Sequence, residues 1–69
     1  MYIVLELQTN KDGSLGNLIY KYDSLDQAES KYHAILSAAA ISNIPIHTAV
    51  MMNEYGMNVK SQYYKHETE

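Results

Sequence analysis

Only one stretch of this sequence repeats its apolar residues at helical spacing, and this limits the fold more than any other feature. From Leu25 onward the apolar side chains recur every three or four residues, as on one stripe of a helix. Ser24 is a suitable N-cap, and Gln27 three residues later completes a capping box. Asn43 and Pro45 end the helix, since the residue before a proline disfavours helical backbone. The stripe predicted to pack on the rest of the fold is Leu25, Ala28, Tyr32, Ile35, Leu36 and Ala39.

Four segments around this helix alternate their side chains with the two-residue period of β-strands, and they are 2–9, 18–22, 46–55 and 57–66. A loop rich in Gly, Asn and Asp, residues 10–17, joins the first pair of strands. A tight turn over residues 53–56 joins the second pair. The order ββαββ predicts an α+β fold, a four-stranded antiparallel sheet with the helix on one face.

The chain has 69 residues, which is enough for one domain, predicted over residues 1–66 with a frayed tail at 67–69. It has no cysteine, so disulfide bonds cannot supplement a small core. The short apolar start ends at Glu6, which does not resemble a signal peptide, and no stretch is long enough to span a membrane. We expect a soluble, cytoplasmic protein that does not bind membranes.

One helix cannot cover both faces of such a sheet, which predicts self-association as a homodimer or larger oligomer. The alternation assigns Ile3, Leu5 and Leu7 to the core face and leaves an apolar second face without cover. The alternative is a monomer with a surface rich in Tyr and Met. The residues predicted at the oligomer interface, including the apolar end of the helix, are Tyr2, Val4, Tyr20, Tyr22, Ala38, Ile41, Ala49 and Met51.

Charge and aromatic content narrow the class of partner. The formal net charge is -3, there are five Lys and Arg in total, and every one of them is Lys. Arginine is the usual bidentate reader of phosphate and guanine, so binding to duplex nucleic acid is not expected. Seven Tyr and no Phe or Trp give large apolar groups with polar tips, which suit half-buried surfaces and interfaces.

Lysine and tyrosine on the helix and on the last strand are the best candidates for ligand binding. Tyrosine rings can stack on bases, and Lys can neutralise a phosphate as a point charge. A cleft lined by such groups would suit a small nucleotide-like ligand. The alternative for each residue is a structural one, as core, solvated surface or half-buried packing. The candidate ligand-binding residues are Lys31, Tyr32, His33, His47, Lys60, Tyr63 and Tyr64.

Signatures of catalysis and of metal binding are missing from the sequence. It has no Gly-rich phosphate loop and no nucleophile elbow. Glu29 and His33 are neighbours on one helix flank, but no third ligand stands at a characteristic spacing. We therefore predict no catalytic residue, no metal and no cofactor. An oligomeric enzyme with a site shared between subunits remains the less favoured alternative.

Three short motifs together resemble a family of short proteins from gut Firmicutes and their phages or prophages. These are Ala28-Glu29-Ser30-Lys31-Tyr32-His33, Pro45-x-His47 and Lys60-Ser61-x-x-Tyr64-x-His66. The resemblance extends over nearly the whole chain, and residues 28–47 are its most specific part. It implies a phage or mobile-element origin and residence in the host bacterial cytosol, and it implies no chemistry.

The combined prediction is a non-enzymatic, homo-oligomeric binding protein of phage type. It would act by sequestering a host target, either a small signalling nucleotide or a host protein, and so oppose a host defence. The alternative is a virion or assembly component that docks on other phage proteins through an apolar sheet face.

Overall fold

The computed structural model describes residues 1–66, which form one antiparallel sheet and one helix. The sheet order is β2-β1-β3-β4, so the two hairpins meet along β1 and β3. This confirms the predicted α+β fold in ββαββ order. The frayed tail predicted at 67–69 lies outside the described residues. The elements are β1 (Tyr2–Thr9), β2 (Leu15–Tyr22), α1 (Leu25–Ala40), β3 (Ile46–Asn53) and β4 (Asn58–Lys65).

The first hairpin connection is shorter than expected, and β2 begins at Leu15. The loop closes on itself, because the Asn10 N–H donates to the Ser14 carbonyl at 2.9 Å and Gly13 adopts a φ of 87°. Glycine takes such a backbone conformation without steric penalty. The returning strand therefore pairs with the full length of β1.

Helix α1 begins as its cap predicts. The Ser24 hydroxyl accepts the Gln27 N–H at 3.5 Å, and the helix runs to Ala40. Four members of the predicted stripe are buried against the sheet, Leu36 is partly buried, and Leu25 at the helix start is 42% exposed. The buried four are Ala28, Tyr32, Ile35 and Ala39.

The helix packs on the opposite face of the sheet from the one predicted. Val4, Ala49 and Met51 are all 0% exposed and form the core with the helix stripe. The prediction that Ile3, Leu5 and Leu7 line the core is therefore wrong. Both faces of β1 are apolar, so alternation separates them without identifying which one the helix covers.

This reversal also corrects the predicted interface. Val4, Ala49 and Met51 lie under α1 within one copy and cannot form a self-association surface. Three tyrosines predicted there are partly buried against the same core, namely Tyr2, Tyr20 and Tyr22. Ala38 and Ile41, at the end of the helix, are exposed; whether they contact another copy stays a prediction.

The opposite side of the sheet, which we call the open face, has no helix of residues 1–66 packed on it. Alternation and strand pairing place the same side of all four strands there. Its apolar and aromatic members are Ile3, Leu5, Leu7, Leu15, Ile19, Ile46, Val50, Met52 and Tyr63. Over the described residues, no helix has the length and apolar character needed to cross a membrane.

Candidate functional site

A groove runs along the surface between α1 and β4, and we call it the α1–β4 groove. Its volume is about 750 Å³, within the usual size range of small-molecule sites. The groove exists because β4 is an edge strand whose helix-facing side chains meet the flank of α1. It is lined by Tyr32, His33, Leu36, Ser37 and Ala40 of α1 and by Lys60, Ser61, Gln62 and Tyr64 of β4.

Lys60 is the cation of the groove. It lies on β4 opposite Met51 of the core, and its Nζ is 3.2 Å from Glu29 Oε1 on α1. The same Nζ is 5.5 Å from the centre of the Tyr32 ring, within the range of a cation–π contact. Both members of the ion pair are more than one third exposed, so the pair contributes little to stability. Glu29, which the sequence places beside His33 on one helix flank, therefore pairs with Lys60 of β4.

Aromatic and imidazole rings form the walls of the groove. The His33 ring meets the Tyr32 ring edge to face, with 5.5 Å between the ring centres. At the other side, the Tyr64 and His66 rings lie nearly parallel, with centres 6.4 Å apart and 10° between their planes. His66 Nε2 is 2.7 Å from the Ala39 carbonyl near the end of α1. Tyr64 is thus held by a histidine that is itself anchored to the helix.

The arrangement offers an ammonium group, hydroxyl and amide groups and aromatic surface along one open groove. Such a set can bind a small molecule that combines a planar ring with a negatively charged group. Within residues 1–66, no three His, Asp or Glu side chains are grouped closely enough to hold a metal ion.

Four of the seven predicted ligand-binding residues come together in this groove: Tyr32, His33, Lys60 and Tyr64. Lys31 lies on the other flank of α1, where its Nζ is 4.1 Å from the centre of the Tyr20 ring. It borders a smaller groove of about 310 Å³ with Tyr22. Tyr63 is on the open face and is 63% exposed.

His47 is not placed to contact a ligand, which corrects its inclusion in the predicted site. It is 3% exposed and lies on the helix-covered face of the sheet. Its Nε2 is 2.6 Å from Glu6 Oε2, and its Nδ1 is 3.3 Å from the Ser42 hydroxyl. Both ring nitrogens therefore have partners inside the fold.

Glu6 completes this buried network. Its Oε2 also accepts a hydrogen bond from the Gln8 amide at 2.9 Å. Burial by itself raises the pKa of Glu6, but the hydrogen bonds from Gln8 and His47 and the positive charges of His47 and Lys31 outweigh it. The pKa of Glu6 is consequently lowered from its ordinary value of 4.5. The carboxylate is ionised at neutral pH and holds β1 and β3 together.

His66 has a structural role that sequence reasoning missed. Its backbone N–H donates to the Pro45 carbonyl at 2.7 Å, and its side chain reaches Ala39. Sequence reasoning also missed Leu36, Ser37 and Gln62 as groove residues. Nothing in their local pattern marks them, since they meet only when α1 and β4 pack side by side.

Comparisons of the chain with models of known families, with curated proteins and with solved structures found no match. The resemblance to short proteins of gut Firmicutes and their phages therefore stays a prediction, as do the phage origin and the host cytosol.

Proposed function

We propose that this chain is a non-catalytic binding protein that holds a small ligand in the α1–β4 groove. The ligand would carry a planar ring and an anionic group, and a nucleotide is the class that fits best. The single observation that carries the proposal is the meeting of His33, Lys60 and Tyr64 in one groove of suitable size, whose lining also includes the largely buried Tyr32. The protein would act by occupying its target through mass action, without turnover.

Lys60 is the anion-binding group in this proposal. In the free protein its charge is balanced by Glu29 at 3.2 Å. Because this pair is partly exposed, a ligand phosphate can compete with Glu29 at small cost. The planar part of the ligand would lie against Tyr64, whose ring is already held by His66. A prearranged aromatic wall lowers the entropy lost on binding.

Sequestration also fits a self-associating protein of this size, since several copies present several grooves. The choice of a small nucleotide rests on the lysine and tyrosine chemistry of the groove. The role against a host defence rests on the phage origin that the resemblance implies. A component of a phage particle is the alternative, and the apolar open face is the observation that favours it.

A thermal-shift screen with mononucleotides, cyclic nucleotides and ADP-ribose tests the proposal. A ligand that binds only the folded state stabilises it and raises Tm as the ligand concentration rises. At a hundredfold excess over Kd the free energy of unfolding increases by about 2.7 kcal/mol. We expect at least one nucleotide to raise Tm and to be recovered unchanged. Inorganic phosphate and ribose serve as partial ligands that should give smaller shifts.

Two variants of the same ion pair provide a sharp control. Lys60→Gln and Glu29→Gln both remove the ion pair, but only the first removes the cation. We expect Lys60→Gln to weaken nucleotide binding and Glu29→Gln to preserve or strengthen it. Lys11→Gln, in the exposed β1–β2 loop, removes the same charge far from the groove and should bind normally.

The proposal is wrong if no nucleotide shifts Tm, or if Lys60→Gln and Lys11→Gln bind a nucleotide equally well. Consumption of the nucleotide would instead indicate an enzyme.

A further inference from the structure

The open face is an apolar surface on which no helix of residues 1–66 packs. β1 and β3, at the centre of the sheet, contribute most of it, and the edge strands add Ile19, 68% exposed, and Tyr63, 63% exposed. Contiguous apolar surfaces of this kind on small proteins mark interaction sites.

The charges on this face are confined to two diagonal corners. Lys21 on β2 pairs with Ile3 near one end of the sheet, and Lys65 on β4 pairs with Ile46 at the other end. The strand residues that share this face include no acidic side chain, since Glu6 points to the helix side with Val4. An apolar centre with charge at the rim is the usual composition of a protein interface.

The dimensions of the face suit a small, specific interface. Four strands of eight residues, at the usual spacings, span about 19 by 27 Å, or about 500 Å². Two such faces together reach about 1,000 Å², the lower end of specific protein interfaces. A dimer formed through it alone would be of moderate affinity.

We propose that a second copy of this chain covers the open face in a two-fold symmetric dimer. The result would be four layers, helix, sheet, sheet and helix, with the strands of the two sheets aligned to within about 30°. The second copy brings a sheet of the same twist and the same apolar centre. This deepens the self-association contained in the proposed function and does not depend on what the groove binds.

The positions of the two lysines favour this aligned arrangement. With the two-fold axis along or across the strands, each lysine corner meets an uncharged corner, near Leu15 of β2 or Asn58 of β4. A crossing near 90° would instead place lysine opposite lysine. Like charges at close range oppose association, so charge selects the aligned packing.

Sedimentation equilibrium of the full chain, from about 1 µM to about 1 mM, tests the proposal over the range that so small an interface requires. We expect the mass to rise with concentration toward twice the 7.9 kDa of one chain. Ile19→Lys adds a charge to the open face and should weaken dimerisation about tenfold or more. Leu18→Lys is its matched control, because Leu18 is the preceding residue, 49% exposed, and shares the helix side with Glu6.

Circular dichroism establishes that each variant is folded, and Tyr63→Lys on β4 replaces Ile19→Lys if the latter is not. A wild-type chain that stays at 7.9 kDa throughout would overturn the proposal. So would equal effects of Ile19→Lys and Leu18→Lys, or a dimer broken by Ile41→Lys alone, since Ile41 lies at the helix end. A monomer that co-sediments with anionic phospholipid vesicles would assign the face to a membrane instead.

Lys60→Gln should leave the mass of the dimer unchanged. A failure of ligand binding in the groove and a failure of dimerisation are therefore distinguishable.

Discussion

His47 Nε2 lies 2.6 Å from Glu6 Oε2 and joins two strands whose residues are far apart in the sequence. An ionised carboxylate only accepts hydrogen bonds, so Nε2 carries the proton that it donates to Glu6. The other ring nitrogen, Nδ1, lies 3.3 Å from the Ser42 hydroxyl, which itself accepts the Ile44 N–H at 3.3 Å. The network thus connects β1, β3 and the segment that follows α1.

Acid should weaken the fold through Glu6. The pKa of Glu6 is lower in the folded chain than the ordinary 4.5. Between the folded pKa and pH 4.5, the unfolded chain therefore binds more protons than the folded chain. The stabilisation is complete above about pH 4.5 and is lost as the pH falls through the folded pKa. Glu6→Gln should lower the free energy of unfolding by about 1–3 kcal/mol at neutral pH. The difference in stability between this variant and the wild type should become smaller in acid. Urea unfolding at a series of pH values measures this, and a constant deficit would contradict it.

Met51 and Met52 should respond differently to the same truncation, because they lie on opposite faces of β3. Met51 is 0% exposed under α1, so Met51→Ala should cost about 2–5 kcal/mol of unfolding free energy. Met52→Ala should cost clearly less when both are measured on the Ile19→Lys background, where the open face is kept in solvent. Equal losses in chemical denaturation would argue against the orientation of the sheet.

Two glycines should respond differently to alanine. Gly56 has a φ of 79° in the β3–β4 turn, so Gly56→Ala should lower stability by about 1 kcal/mol. Gly16 has no such backbone conformation, and a Cβ there would make ordinary contact at 3.9 Å with the Gln8 carbonyl. Gly16→Ala should be neutral or stabilising by a few tenths of a kcal/mol. Thermal melts of both variants compare them directly, and a large loss at Gly16 would be the contrary result.

His66 should stabilise the end of α1. Its Nε2 donates to the Ala39 carbonyl at 2.7 Å, in the last turn of the helix, where the Ser42 N–H also donates to this carbonyl at 3.3 Å. His66→Ala should reduce stability by about 1 kcal/mol. His66→Gln, which keeps a donor, should recover part of the loss in denaturant unfolding. If His66→Gln and His66→Ala are equally destabilised, the hydrogen bond is not the source.

The local elements were predictable because their signals are local. Ser24 and the apolar spacing from Leu25 determine where the helix begins, and Gly56 allows the second turn. The start of β2 was not predictable, because a loop rich in Gly and Asn can close at several lengths. The loop closes between Asn10 and Ser14, which is one of the shorter possibilities.

The candidate site was predictable as a set of residue types and not as a place. Tyr32, His33, Lys60 and Tyr64 were identified by their chemistry, and the packing of α1 beside β4 brings them together. The same packing separates Lys31 to the other flank and buries His47 against Glu6. These outcomes depend on contacts between residues distant in the chain, which no short pattern records.

The sequence by itself determined the order of strands and helix along the chain, the helix cap, the turn between β3 and β4, and the absence of disulfide bonds. These follow from side-chain periodicity and from backbone preferences that act within a few residues. Only the tertiary structure decided which face of the sheet the helix covers. Ile3 and Leu5 compete with Val4 on nearly equal hydrophobic terms, so the choice depends on how Ala28, Ala49 and Met51 fit together at close range.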